Sequence, residues 1–487
     1  MINALIFEIK QLAKAPWLLF PLFIILIPIF YLLGEHCVYM WDEAIYANNA
    51  LEMLHDRNWF VIQNNGIPSH YNVKPQLVTW MQVLSMSVFG TTEWALRLPS
   101  ALASVGIVMI LVVFSRRWTK SYLPGVFGAI FMVSAFGFVR VHLSRSADLD
   151  ATLLLFTTAF TFLFLDLLLV GIKHNKYLLP ISGLVLLAFL SKSLAGFLPL
   201  FPLFLLALVT KRGRSFLQNR NTWFYILGCL VLVAFYYFIR NLIQPEYFEM
   251  VWNSEFLRLT HNVMPWHKQP FHFYVLNFVK LNFYTPHIFV LHVAILLLLF
   301  SKNKFVQKMT VYLSCFILFF LLLISFPVVK LEWYDASFYP VSSFILGLAL
   351  WNYGKHWTIW TAILLFAMLF PYRSVLEFYH ERIYPTEPLE REGNFMRSLY
   401  HEKPTIRNYD VYMEVQTSEH LDQMFFYQKN LNWYKGYQIE YKESNDQIAK
   451  SDTVLCCQAK AIEKLQDNFK TLVIIQNRDC KLMVIEQ

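Results

Sequence analysis

Apolar stretches long enough to cross a bilayer recur through the first 371 positions of this 487-residue chain. Inside hydrocarbon there is no water to bond the backbone, so each spanning segment must satisfy its own N–H and C=O groups, as a helix does. The stretches fall at Trp17–Leu33, Arg97–Phe114, Ser121–Phe138, Leu149–Gly171, Tyr177–Leu190 and Leu194–Thr210. They continue at Trp223–Ile239, Pro286–Phe300, Met309–Phe326, Ala336–Tyr353 and Trp357–Phe370, about eleven in all. Composition agrees. The chain is 57% hydrophobic and 15% charged, whereas a soluble globular protein is about 45–50% apolar and about 25% charged. The expectation is a mainly α, polytopic transmembrane protein. The first stretch lacks a small-residue cleavage site and reads as a span, not a signal peptide.

The short basic loops set an orientation. Lys10 and Lys14 precede the first span, and Arg116, Arg117 and Lys120 follow the second. Lys173 and Lys176, then Lys211, Arg212, Arg214 and Arg220, then Lys302, Lys304 and Lys308, and finally Lys355 fall on the same side. Positive charge in short loops marks the cytoplasmic face. The amino terminus is therefore expected inside, and an odd number of spans puts the tail outside. The formal net charge of +8 sits mostly in these loops, so topology explains it without a nucleic-acid partner.

After Pro371 the chain becomes charged and has no spanning stretch. Strand-like runs at Tyr409–Val415, Thr453–Cys457, Thr471–Ile475 and Leu482–Ile485 surround helical stretches at Ser418–Lys429 and Gln458–Asp467. That alternation predicts a small α/β domain at 372–487, outside the membrane, beside a membrane domain at 1–371. Its role is expected to be stabilising or acceptor-docking. Of six cysteines, Cys229 and Cys315 lie in spans, and Cys456-Cys457 are adjacent. Cys480 is a possible disulfide partner for either of that pair.

Carboxylates at a membrane entrance are costly and therefore functional candidates. The loop after the first span carries Trp41-Asp42-Glu43-Ala-Ile-Tyr46, then Asn58-Trp59-Phe60-Val61, Asn65-Gly66-Ile67-Pro68, Lys74-Pro75 and Trp80. It continues with Phe89-Gly90, Glu93 and Arg97-Leu98-Pro99-Ser100-Ala101. Alone, Asp42-Glu43 would also suit a helix start, where the dipole favours acids. In this order and spacing the run resembles the polyprenyl-phosphate sugar glycosyltransferases of the GT-C superfamily. The branch it most resembles is the aminoarabinose lipid A transferases, distantly akin to protein O-mannosyltransferases. Four later stretches fit the same resemblance: Arg145-Ser-Ala-Asp148-Leu-Asp150; Leu187-Ala-Phe-Leu-Ser-Lys192-Ser-Leu-Ala-Gly196; Ser254-Glu255-Phe-Leu-Arg258 with His261 and Pro265-Trp266-His267; and Lys330-Leu-Glu-Trp-Tyr334 with Tyr339-Pro340.

The resemblance implies a GT-C fold with juxtamembrane helices on the outer face of the cytoplasmic (inner) membrane. It implies transfer of one sugar from a polyprenyl-phosphate donor to lipid A, another envelope glycan or a protein. Asp42 is the first candidate for the base and Asp150 the second, with Glu43 supporting geometry. Lys74, Arg258, Lys330 and Tyr334 are candidates for the donor phosphate, because a leaving phosphate needs positive charge and hydrogen-bond donors. Lys192, Glu255 and His261 are additional candidates; a snorkelling lysine is the plain alternative for Lys192. Two family positions that hold a metal in some members are Val73 and Glu255 here. That joint change counts against the family's metal site; a divalent metal held differently would draw on His70, Glu255, His261 and His267. No nucleotide-binding loop is present. Other readings are an enzyme like the protein O-mannosyltransferases and a lipid-linked sugar flippase. Against the flippase, the acids cluster at outer span ends and no inverted repeat is evident.

Overall fold

A computed structural model describes residues 7, 10, 14–140, 142–171, 175–257, 267–279, 283, 285–354, 358–381, 390–413 and 421–486. Two compact units emerge. One comprises Met1–Tyr31, Val73–Val78 and Pro99–Phe378; the other comprises Leu32–Asn72, Thr79–Leu98 and Tyr379–Gln487.

Each of the eleven apolar stretches coincides with a helix. Five helices have the length and apolarity to span: Glu93–Thr119, Asp150–Leu169, Asn175–Phe197, Arg220–Ile243 and Lys304–Ser325. This is a multi-pass membrane protein. Helix Arg220–Ile243 leaves Phe224, Leu227, Leu230, Val231 and Phe235 exposed. An apolar face of that extent is unsuited to water and suited to lipid. Helix Asp150–Leu169 lies inside the first unit instead, and its Asp166 is fully paired. Arg117 Nε at 2.7 Å, Trp118 Nε1 at 2.9 Å and the Tyr177 hydroxyl at 2.7 Å all donate to this carboxylate. Helices Leu123–Ser134 and Phe338–Gly354 meet through glycine. A Cβ on Gly347 would stand 2.1 Å from the Pro124 carbonyl oxygen and 2.4 Å from the Gly128 nitrogen, so only a missing side chain permits the approach.

The sixth stretch differs from expectation. Helix Asn175–Lys192 stops, a 3-10 turn Ser193–Phe197 follows, and the next helix covers only Leu200–Val209. Ten residues rise about 15 Å, half a bilayer core. Ser193 takes φ 53°, and Gly196 packs where a Cβ would lie 2.6 Å from the Ala188 carbonyl carbon. An apolar helix at Leu77–Phe89 was not anticipated as an element.

In the second unit a two-stranded hairpin, β1 (Gln63–Asn64) with β2 (Ile67–Pro68), stands beside helix Asp42–Asp56. Glu52 holds the turn, accepting from Asn65 N at 2.7 Å and Gly66 N at 3.1 Å. The tail forms a five-stranded sheet from β3 (Asn408–Tyr412), β4 (Gln438–Lys442), β5 (Thr453–Cys456), β6 (Thr471–Asn477) and β7 (Cys480–Ile485), ordered β4-β3-β5-β7-β6. β3 runs parallel to β4 and β5, and β7 antiparallel to β5 and β6. Helix Asp422–Lys435 makes the crossover that the parallel pair β3–β4 needs. Gly436 at φ 72° ends that helix, with Tyr437 N–H bonding back to the Leu431 carbonyl. The core holds Tyr412, Val454, Cys456, Leu465, Met483 and Ile485. Cys457 and Cys480 form the disulfide, and Cys456 stays a buried thiol.

Strands β3, β5, β6 and β7 and both tail helices match the sequence expectation, although the expected helix start at Ser418 and the strand end at Val415 lie outside the described residues. Strand β4 and helix Arg391–Glu402 were missed. The sequence boundary at 371/372 separated the tail; the compact unit that holds the tail also takes in 32–72 and 79–98. Tail residues bind that loop directly. Asn48 Nδ2 donates to the Asp422 carbonyl at 2.6 Å, Lys429 pairs with Glu52 at 2.6 Å, and the Tyr427 hydroxyl donates to Glu93 at 2.7 Å.

Glu392 supplies a pH handle in this unit. It is 2% exposed and its Oε2 has no hydrogen-bond partner among the described residues. Burial pushes its pKa up to about 7, against roughly 4.3 in an unfolded chain. The folded state therefore binds the extra proton between those values, and stability falls as pH rises through that window. Glu392→Gln should raise stability by on the order of 3 kcal/mol at pH 8 and change little near pH 4. Thermal unfolding of the full chain in detergent at both pH values checks this; an unchanged midpoint at pH 8 contradicts it.

Candidate active site

In the second unit, Asp42 and Glu43 open helix Asp42–Asp56 after Trp41, whose φ is 69°. A non-glycine residue at positive φ persists only when its surroundings hold it; Trp41 itself is exposed, and the buried group beside it is Glu43. Glu43 is 1% exposed. Its Oε1 accepts from Arg97 Nε at 2.8 Å, and its Oε2 accepts from Arg97 Nη2 at 2.9 Å and Tyr39 N at 2.7 Å. The same guanidinium donates to the carbonyls of Leu33 at 2.9 Å, His36 at 2.9 Å and Cys37 at 2.7 Å. Glu43 thus anchors the helix start. Asp42 is more exposed, and its Oδ1 accepts from the Tyr71 hydroxyl at 2.6 Å. The paired acids divide: one is held inside by an arginine fork, while the other meets a neutral phenol.

In the first unit, two clusters adjoin through Lys192-Ser193, the residues at the helix break. Lys192 donates to the Asp150 carboxylate, and its ammonium lies 6.0 Å from the centre of the Tyr334 ring. Nearby, His142 Nδ1 lies 2.6 Å from Asp148 Oδ2 and its ring stacks on Trp333 at 3.6 Å. Arg140 Nη2 donates to Glu332 at 2.6 Å. Across the break, Ser193 Oγ donates to Glu255 Oε2 at 2.8 Å and lies 2.6 Å from the Tyr237 hydroxyl. The other Glu255 oxygen takes Lys74 Nζ at 2.7 Å. Lys74 sits beside Val73, whose carbonyl accepts from the Tyr247 hydroxyl at 2.8 Å.

Lys330 joins neither group through a carboxylate. Its ammonium donates to the carbonyls of Gln269 at 3.0 Å and Pro327 at 2.5 Å, and burial lowers its pKa. Arg145, 3% exposed, donates to the carbonyls of Pro28, Ile29 and Tyr31, closing the carboxyl end of helix Leu19–Phe30. Arg258 and His261 lie outside the described residues, as does Trp266.

The structure therefore brings Asp150 together with Lys192 and Tyr334, and Lys74 with Glu255. Sequence reasoning gave no role to Arg97, Tyr71, Ser193, Tyr237, His142 or Trp333. Arg97 carried a signal, a charge opening an apolar span; Ser193 stood only within the stretch around Lys192 that carries the family resemblance.

Of the residues considered for a metal, Glu255 is engaged by Lys74 and Ser193, and His70 is exposed. In the second unit the donor atoms of His36, Cys37 and Glu390 lie within 4.8 Å of one another. Glu390 Oε1 already accepts from Met40 N–H at 3.1 Å, and burial pushes the Cys37 thiol well up. A thiol held protonated is a poor ligand.

Residues 73–238 match the family described as dolichyl-phosphate-mannose-protein mannosyltransferase. Over nearly its whole length the chain superposes on the crystal structure of ArnT from Cupriavidus metallidurans bound to undecaprenyl phosphate. The TM-score is 0.69 at 15% identity, covering 96% of this chain and 98% of that one. The chain has the GT-C fold. A second GT-C neighbour is the archaeal oligosaccharyltransferase AglB from Archaeoglobus fulgidus, in complex with an inhibitory peptide and a dolichol-phosphate. There the TM-score is 0.52 at 13% identity, covering 88% of this chain and 64% of that one. In sequence, the undecaprenyl phosphate-alpha-4-amino-4-deoxy-L-arabinose arabinosyl transferase of Shewanella sediminis is 30% identical over 145 residues, 28% of this chain. Its counterpart in Pseudomonas savastanoi is 29% identical over 126 residues, 26% of this chain. The matched stretches span 25% and 23% of those relatives' lengths. The expected GT-C resemblance is borne out at the level of fold and family likeness.

Proposed function

We propose that this protein is a membrane glycosyltransferase that moves one sugar from a polyprenyl-phosphate donor to an acceptor on the outer face of the cytoplasmic membrane. The observation that carries the reading is the set of buried or half-buried charged groups in the first unit, Lys74 with Glu255 and Lys192 with Asp150, on a GT-C fold. Charges buried in a membrane protein are retained for chemistry or transport, and lysine is a point charge suited to phosphate.

In this mechanism the acceptor oxygen attacks the anomeric carbon as the bond from that carbon to the phosphate oxygen breaks. The configuration inverts, and polyprenyl phosphate leaves with the electron pair. Asp42 takes the acceptor's proton, while Glu43, fixed by Arg97, positions its helix. Lys74, Lys330, Tyr334 and Arg258 stabilise the departing phosphate. Lys192 holds Asp150, which supports the site and is second choice for the base. Glu255 keeps Lys74 in place until donor phosphate displaces it, and Ser193 then retains the carboxylate; His261 borders that loop in sequence. The membrane domain at 1–371 carries the transfer and the tail at 372–487 supports acceptor docking. The acceptor is lipid A or another envelope glycan. A protein hydroxyl is the second reading, favoured by the family matched over 73–238.

Lys74→Ala should weaken undecaprenyl-phosphate binding by about 10- to 100-fold, the worth of one charge-assisted bond. Native mass spectrometry of the full chain titrated with that lipid measures it. Unchanged binding would remove Lys74 from the phosphate site.

A further inference from the structure

The tail carries, at the ends of helices Arg391–Glu402 and Asp422–Lys435, a cleft of about 520 Å³ lined by Tyr400, His401, Pro404, Arg407, Tyr434, Lys435 and Tyr437. Its lining mixes rings with positive charge and includes no acid. That size lies within the roughly 300–1,000 Å³ of small-molecule sites. The two cations are held over ring faces: Arg407 lies 5.9 Å from the centre of the Tyr437 ring, and Lys435 lies 5.8 Å from that of Tyr400. Arg407 Nε donates to the Pro404 carbonyl at 3.2 Å. Among the described residues neither cation forms an ion pair, unlike Lys429 and Lys442 of the same unit, which bind Glu52 and Asp410.

A second observation concerns a residue that lines the same cleft. Tyr437 is 4% exposed, and its buried hydroxyl has no hydrogen-bond partner among the described residues. Leaving a buried hydroxyl unpaired costs about 1–3 kcal/mol. A ligand that suits this lining has an apolar ring face for the tyrosines, an anionic group for Arg407 and Lys435, and a hydroxyl for Tyr437.

We propose that this cleft binds an anionic sugar, a pyranose bearing a phosphate or a carboxylate. The cleft shares no lining residue with those assigned to transfer, and the proposal does not depend on that assignment.

The test uses the full chain in lipid nanodiscs, titrated with glucose 6-phosphate, glucuronic acid, glucose and inorganic phosphate, with binding followed by saturation-transfer NMR. The proposal expects at least one charged sugar to bind about tenfold tighter than either glucose or phosphate. The two charged probes separate a phosphate-reading site from a carboxylate-reading one. Arg407→Ala with Lys435→Ala should abolish that preference, and Tyr437→Phe should weaken binding several-fold while elution and thermal midpoint stay those of the wild type. Equal binding of charged and neutral probes overturns the proposal. So does binding that survives the cleft substitutions but disappears in Lys74→Ala, which would move the ligand to the transfer site.

Discussion

Asp42→Asn is expected to lower the rate of sugar transfer by about a hundredfold to ten-thousandfold, the usual worth of a general base. Undecaprenyl-phosphate binding should stay unchanged. Asp150 is engaged by the Lys192 ammonium, which competes with any proton it would accept. Asp42 accepts from the Tyr71 hydroxyl at 2.6 Å, and it opens a helix, where a carboxylate is well accommodated. Asparagine keeps the oxygen that Tyr71 reaches and removes the basicity, so the geometry survives while the chemistry fails. Tyr71→Phe should cost less, because it loosens the carboxylate without deleting it. The measurement is single-turnover transfer by the reconstituted full chain. A rate within threefold of wild type for Asp42→Asn, with a large loss for Asp150→Asn, would exchange the two roles.

Arg97→Ala should be the most damaging substitution to stability in the second unit, costing about 3–5 kcal/mol, as breaking a buried ion pair does. The guanidinium is 1% exposed and makes bonds to both Glu43 oxygens and to three carbonyls. Its loss strands a buried carboxylate and uncaps the turn between Leu33 and Cys37. Arg97→Lys should recover only part of this, since one ammonium cannot reproduce a planar five-donor fork. Glu43→Leu combined with Arg97→Met should be less destabilised than Arg97→Ala alone, because no single charge is left behind. Thermal midpoints and protease resistance of the detergent-solubilised protein read all three. If Arg97→Ala melted with the wild type, the anchor role of Glu43 would be lost.

Much of the helical architecture was legible because lipid imposes a pattern: each apolar stretch could only be satisfied as a helix, and each became one. The break at Lys192-Ser193 falls in the gap left between Tyr177–Leu190 and Leu194–Thr210; the short helix that follows, only Leu200–Val209, was not foreseen, although Gly196 and Pro199 stand before it. Strand β4 escaped because Gln438–Lys442 buries only Ile439 and carries charge on an edge. Helix Arg391–Glu402 escaped because it contains Gly393, needed where Gln423 packs within 2.1 Å of the position of a Cβ. At the site, residue types and their order pointed to Asp42, Lys74, Asp150 and Lys330, but pairings across 181 residues, such as Lys74 with Glu255, have no local trace. The same holds for the division of labour between Asp42 and Glu43. Adjacent in sequence, they are separated by which one Arg97 reaches.

The most direct measurement is the lipid-linked sugar pool, read by mass spectrometry in cells lacking this protein and restored with wild type or with Asp42→Ala. Transfer predicts a glycosyl-polyprenyl phosphate that accumulates in the null and the mutant and falls with wild type, which would also name the donor sugar. An unchanged pool, with Asp42→Ala as functional as wild type, would contradict the account and leave a transport or assembly role.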